Sequence, residues 1–258
     1  MDLLQLQDKK ISLVLSGGGV KGIAHIGILK ALHEHGIFPE IISGVSAGAI
    51  VGALYANNIS IQEMLVFFKE TPLLRYNFVT INKPGFFDTD KYKKYLSFHF
   101  PENTFEALKR PLHIVATNIQ EGKAEFFNSG ELITPILASA ALPPVFSPVT
   151  FNNKLYVDGG VMNNFPVEPL IDTSDYIIGS YTSSMTTLST AQLKNSFQLT
   201  QRTNVLMLHA NACHKLKIPN LLFNPPHLDK IGILDKKGLE KAYTLGYDYA
   251  SKKLEMFV

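Results

Sequence analysis

Cysteine is almost missing from this sequence: Cys213 stands alone. One thiol excludes an intramolecular disulfide and any multi-cysteine metal site, and leaves a free, buried thiol as the expected state. Charge of one sign is scarce too. The net charge is +2, and no basic run is long enough to follow a phosphate backbone, which argues against a nucleic-acid partner. No apolar stretch approaches the about 18 residues that a membrane span needs. Residues 1–10 lack the apolar core of a signal peptide, so a soluble, cytoplasmic protein is expected. His, Asp and Glu fall nowhere at recognisable ligand spacing, so neither a metal nor a cofactor is expected. With no internal repeat and no linker-like stretch, residues 1–258 read as one domain. What is there is globular: 46% hydrophobic and 18% charged residues, enough to bury a sizeable core.

The chain is organised around Ser43-Gly44-Val45-Ser46-Ala47-Gly48-Ala49. Before it, Ile37, Phe38, Ile41 and Ile42 read as a buried strand. After it, residues 49–56 read as a tightly packed helix. Gly44-x-Ser46-x-Gly48 between strand and helix is a nucleophile-elbow pattern. A nucleophilic serine on a sharp turn has a strained backbone, and flanking glycines admit neighbouring chain. The helix that follows aims free N–H groups and its positive end at the serine. A glycine-rich strand-to-helix turn without chemistry fits the same spacing.

Upstream, Ile11-Ser12-Leu13-Val14-Leu15 is a β-prone run that leads into Ser16-Gly17-Gly18-Gly19-Val20-Lys21-Gly22. Residues 23–32 then carry apolar side chains at helical spacing up to Gly36. Three readings compete for this glycine loop. A dinucleotide fingerprint needs an acidic residue at the end of the next strand, where Ser43-Gly44 stand instead. A Walker loop needs Lys and Ser/Thr after its last glycine, and Ile23-Ala24 follow. The third reading is a set of glycine amides for a developing oxyanion, which a nucleophile elbow on the very next strand requires. That pairing decides for the third. The strand–helix–strand order makes a right-handed βαβ unit with both loops at the carboxyl ends of parallel strands.

Residues 62–100 are rich in rings, from Phe67-Phe68 to Phe86-Phe87 and Phe100, interleaved with Lys83, Lys91, Lys93 and Lys94. They fit either ordinary core with a solvated lysine face, or a cap that rests on a lipid surface. Asp88 reads as the cap of a helix over residues 89–96. Residues 112–117 form a central strand with 122–127 as its hairpin partner. Ala138-Ser139-Ala140-Ala141-Leu142 suits a helix packed against other backbone, with Ser139 a small packing residue and not a second nucleophile. Leu155-Tyr156-Val157 leads into Asp158-Gly159-Gly160, a carboxylate in a turn. A strand over residues 175–180, a Ser/Thr-rich stretch at 182–201 that says little, a helix over 201–217 and a final helix capped by Asp235 complete the chain. His25 and His113 read as core residues on apolar elements.

Four stretches, Gly17-Gly18-Gly19-Val20-Lys21-Gly22, Gly44-Val45-Ser46-Ala47-Gly48, Ala138-Ser139-Ala140-Ala141-Leu142-Pro143 and Asp158-Gly159-Gly160, together resemble the patatin-like phospholipase family, over residues 11–166. The resemblance implies a three-layer α/β/α fold with a mainly parallel sheet and the hydrolysis of acyl esters in lipids. It implies a Ser-Asp dyad, with Ser46 the nucleophile and Asp158 the proton acceptor, and oxyanion-hole amides from Gly17, Gly18 and Gly19. Lys21 matches the motif's basic position, with a phosphate or a loop-building role. Two other readings stand beside this one. One is a Ser-His-Asp esterase that draws its imidazole from His209, His214 or His227; the other is a lipid-binding module that keeps the fold without the chemistry. The partner expected in each case is a lipid or acyl ester, with transient contact at a membrane surface.

Overall fold

The computed structural model describes residues 8–256 apart from residues 73 and 75; the stretch read for a signal peptide lies largely outside them. One sheet runs through the molecule in the order β5-β6-β3-β2-β1-β7-β8, with β4 paired to β3 off that path. Its strands are β1 (Ile11–Leu15), β2 (Ile41–Val45), β3 (Leu112–Asn118), β4 (Lys123–Phe127), β5 (Val149–Phe151), β6 (Lys154–Asp158), β7 (Tyr176–Ser180) and β8 (Leu221–Phe223). The helices are α1 (Ala24–Glu34), α2 (Ala47–Ala56), α3 (Ile61–Glu70), α4 (Lys93–His99), α5 (Ile133–Ser139), α6 (Ser196–Ala210) and α7 (Leu239–Glu255). The arrangement is the expected α/β fold, a sheet flanked by helical layers.

Strands β3, β2, β1, β7 and β8 are parallel neighbours, and every residue of β1, β2 and β7 is buried. Continuous apolar runs such as Ile-Ser-Leu-Val-Leu suit strands covered on both faces. The two faces are covered unequally. Leu13 and Leu15 join α1, α2, α5 and α7 in the main core. Val14 and Ile177 face a smaller cluster of Phe165, Val167, Leu170 and Tyr181. α1 and α7 approach closely because a Cβ on Gly246 would strike Ala24 backbone and one on Gly27 would strike Tyr243 backbone. This contact offsets the helix-propensity cost of the two glycines.

Several expectations need correction. Strand β2 begins only at Ile41; ahead of it Ile37 is buried, while Phe38 turns outward with its ring centroid 4.8 Å from that of His33. The helix read over 201–217 starts earlier, at an Asn195 cap, and ends at Ala210, followed by a 3-10 turn at Cys213–Lys215. Cys213 in that turn is exposed, not buried. Asp88 caps a 3-10 turn, Thr89–Tyr92, before α4 begins. Strand β8 was not read from the sequence: it pairs with β7 and buries Leu221 and Phe223 in the main core. Among the described residues, no helix is long and apolar enough to cross a membrane.

Candidate active site

Strands β2 and β6 bring the site together. β4 pairs with β3 along Ile114–Asn118, which occupies one whole edge of that strand. Both β2, at Leu112 to Val115, and β6, at Ala116 to Asn118, must therefore share the opposite edge. β2 is parallel and β6 antiparallel, so their carboxyl ends meet head-on: Val45 lies opposite Val115 and Asp158 opposite Ala116. The residue after Val45 is Ser46. The sequence reading placed Asp158 at a strand end but did not see that its strand runs the other way.

Ser46 adopts φ 55°, ψ −124°, a conformation that costs a non-glycine residue of the order of 1–3 kcal/mol. Its surroundings hold it there. The Ser46 N–H donates to Ser139 Oγ at 2.8 Å, and the Ser139 hydroxyl donates in turn to the Val115 carbonyl at 2.6 Å. Ser139 is thus a bridge between α5, the elbow and β3, and more than the small packing residue expected. Gly48 is needed where α2 starts, because a Cβ there would meet the Leu15 and Ser16 carbonyls at the end of β1. Its absence lets the elbow lie directly against the glycine loop.

The Ser46 hydroxyl donates to Asp158 Oδ2 at 2.6 Å, and the Gly160 amide donates to Oδ1 at 2.7 Å. Asp158 is only 3% exposed. Burial pushes its carboxyl up to about 6, against the lowering pull of the Ser46 hydroxyl and the Gly160 amide. The three histidines of the triad reading lie elsewhere: His209 Nδ1 is 2.8 Å from the Tyr181 hydroxyl, and His214 and His227 are exposed. Asp158 makes its two side-chain bonds to Ser46 and Gly160 instead.

Gly17, Gly18 and Gly19 line a small cleft of about 20 Å³ together with Ser46, Asp158, Asn164 and Ser183. Among the described residues, the amides of these three glycines have no hydrogen-bond acceptor. Gly19 takes φ +58°, and a Cβ on it would collide with the Ile233 carbonyl that accepts from the Val20 amide. Gly22 packs on Ala47, so the loop sits on the elbow. Lys21 is buried in the same cleft wall; burial lowers its ammonium to about 8, while Asp229 pulls the other way.

On its other side Ser46 opens into an apolar cavity of about 140 Å³, walled by Ile50, Phe67, Tyr92, Leu137, Phe146 and Leu239 among others. An apolar cavity near this size stays dry and takes up apolar ligands in other proteins. Its aromatic wall comes from the ring-rich segment, which divides in two. Phe67, Phe78, Leu96 and Phe100 are core, as the ordinary reading had it. Tyr76 (94% exposed), Ile81 (95%), Phe86 (61%) and Phe98 (84%) project outward. The lysines are largely engaged: Lys83 pairs with Asp88 and Asp90, and Lys94 lies over the Phe78 and Tyr95 rings.

Sequence reasoning missed Thr182 and Ser183, whose hydroxyls reach the Gly17 carbonyl from a stretch that looked featureless. No local pattern marks them; only the pairing of β7 with β1 delivers them there.

The family model for patatin-like phospholipases matches residues 13–171, and the chain belongs to that family. It is 33% identical over 177 aligned positions to lysophospholipase NTE1 of Cryptococcus neoformans var. neoformans serotype D, covering 64% of this chain and 11% of that protein. It is 24% identical over 281 aligned positions to lysophospholipase nte1 of Emericella nidulans, covering 97% of this chain and 18% of that one. The chain thus spans less than a fifth of the length of these curated relatives. The crystal structure of VipD from Legionella pneumophila shares the fold, with a TM-score of 0.55 at 16% identity, over 97% of this chain and 67% of that one.

Proposed function

We propose that the chain is a lipid acyl hydrolase, folded as one domain, in which Ser46 is the nucleophile and Asp158 its only proton acceptor. The observation that carries this reading is the 2.6 Å bond from the Ser46 hydroxyl to a carboxylate that burial has raised to about 6. An ordinary aspartate, near about 4, is a weak base toward a hydroxyl. Desolvation brings Asp158 closer to the working pH and leaves it ionised at neutrality.

Ser46 Oγ attacks the ester carbonyl as its proton passes to Asp158 Oδ2. The free amides of Gly17, Gly18 and Gly19 receive the oxyanion; one such donor is worth roughly 3 kcal/mol. Asp158 returns the proton to the departing alkoxide, which leaves an acyl-enzyme. The cleft of about 20 Å³ has room for one water beside Asp158, as the second step requires. That water attacks the acyl carbonyl, gives its proton to Asp158, and the fatty acid leaves as Ser46 is regenerated. The apolar cavity beside Ser46 suits the carbonyl-proximal part of one acyl chain, and the relatives named lysophospholipases favour a single-chain lipid. The outward side chains of Tyr76, Ile81 and Phe86 contact the lipid aggregate that supplies it.

A fluorophosphonate probe and a lysophospholipid assay test the reading together. The expected result is one adduct on Ser46, and fatty-acid release that Ser46→Ala abolishes. Release that survives Ser46→Ala, or a folded protein with neither adduct nor turnover, overturns it; the latter would identify a binding module.

A further inference from the structure

The three glycines that hold the free amides have no side chains to fix their peptide planes. A glycine peptide flips at little steric cost, and a flip exchanges an N–H for a carbonyl. Here such a flip would present a negative oxygen to a developing oxyanion. Something else must hold the planes, and the hydrogen bonds on the back of the loop show what does.

The Gly17 carbonyl faces three hydroxyl donors: Ser16 Oγ at 3.1 Å, Thr182 Oγ1 at 3.2 Å and Ser183 Oγ at 3.0 Å. The Ser16 carbonyl accepts from His25 Nε2 at 2.9 Å, and His25 Nδ1 faces Ser180 Oγ at 2.6 Å. Because a carbonyl only accepts, Nε2 carries the proton and Nδ1 accepts from Ser180. Complete burial lowers His25 to about 4, which keeps it in that neutral form. The Thr182 amide closes the set by donating to Ser16 Oγ at 2.9 Å. Ser16, His25, Ser180, Thr182 and Ser183 are all buried.

In a trans peptide the carbonyl and the following N–H share a plane and point in opposite directions. Anchoring the Gly17 carbonyl therefore orients the Gly18 amide, and anchoring the Ser16 carbonyl orients the Gly17 amide. We infer that Thr182 and Ser183, with His25 and Ser180 behind them, are positioning residues that lock the Gly17 and Gly18 amides as donors toward the reacting carbonyl. The inference rests on the oxyanion role proposed above for those amides. Ser183 also lines the cleft, but the role inferred for all four side chains is exerted through the backbone.

The test is a double variant, Thr182→Val with Ser183→Ala, which removes two anchoring hydroxyls at nearly constant volume. On a soluble short-chain ester, kcat is expected to fall about 30-fold, roughly 2 kcal/mol of transition-state stabilisation, with KM within twofold. A trifluoromethyl ketone, which forms a tetrahedral adduct on serine, should lose affinity by a similar factor. Thr182→Ser, which keeps the hydroxyl, should retain most of the activity. Unchanged kcat and ketone affinity in a folded double variant overturn the inference, as does a loss confined to KM. If the double variant does not fold, Ser183→Ala alone is read by the same two measures, with an expected loss of about fivefold and none as the contrary result. Failure of the proposed function itself is visible separately, as turnover that does not depend on Ser46.

Discussion

Ser46 stands between two walls built on different terms. The polar wall, made by the ends of β1 and β7 and by the Asp158 turn, has its imidazole, hydroxyls and carboxylate joined in specific, buried hydrogen bonds. The apolar wall, drawn largely from residues 67–96 and from Phe146, meets the serine through rings and methyl groups. Polar groups in a low dielectric are costly when unpaired, so a saturated network tolerates little displacement. Apolar contacts are non-directional and admit chains of varied shape. In the proposed mechanism this contrast places geometric demand on the side that would handle a proton and an oxyanion, and adaptability on the side that would hold a hydrocarbon.

The sharpest way to break the contrast is at Asp158. Asp158→Asn keeps size and can bond Oγ but cannot accept the proton, so turnover is expected to fall about 10³-fold or more, close to Ser46→Ala. Wild-type kcat/KM should rise with pH through about 6 as Asp158 ionises. A variant with substantial activity, or an acid limb far from 6, would dissolve the reading of this wall as the reactive one. Stability carries the same signature. Because the folded-state value is raised above the ordinary 3.8, Asp158's contribution is full below that value and lost as pH rises through about 6. Asn is uncharged throughout, so Asp158→Asn should gain stability relative to wild type between pH 4 and pH 8, by an amount of the order of 2–3 kcal/mol in urea titrations. His25 pulls oppositely in wild type and in the variant, since its lowered value makes stability fall as pH drops from 6.5 toward 4.

A second, smaller effect belongs to Ser139. Ser139→Ala leaves the Ser46 amide and the Val115 carbonyl without their bridge. The expected cost is about 2 kcal/mol, or roughly 5 °C in Tm, with kcat reduced by up to about tenfold. A variant as stable and active as wild type would show that this wall does not depend on complete hydrogen bonding.

The smallest effect distinguishes two adjacent rings of the apolar side. Phe86 is exposed, whereas Phe87 is half-buried with its ring centroid 6.4 Å from that of Phe146. Phe86→Ala should leave Tm and the soluble ester unchanged and lower hydrolysis of micellar lipid about threefold. Phe87→Ala should lower Tm and affect both substrates, through the packing that supports Phe146. Equal behaviour of the two variants would remove the division between lipid contact and core.

Much of this was legible because it is local. The glycine loop announces itself by Gly17-Gly18-Gly19 between an apolar run and a helical stripe, and the elbow by Gly44-x-Ser46-x-Gly48. Both depend on backbone clearance within a few residues, which sequence states directly. The Ser/Thr-rich stretch was opaque for the opposite reason. Thr182 and Ser183 reach an acceptor 165 and 166 residues away, and nothing in their neighbours encodes that distance. Phe86 and Phe87 read alike in sequence, and only packing separates them.

By itself, then, the sequence determined the alternation of strands and helices, the two glycine-lined turns and Ser46 as a candidate, because periodicity and steric clearance act over short spans; Asp158 became a candidate only through the resemblance of its Asp-Gly-Gly turn to a family motif. The tertiary structure decided that β6 runs antiparallel along the same edge of β3 as β2, which is why two residues 112 positions apart share a 2.6 Å bond. It also decided the burial that raises Asp158 to about 6 and the clamp behind the glycine amides. Strand pairing, desolvation and hydrogen-bond saturation are set by many residues at once, and no short stretch of chain contains them.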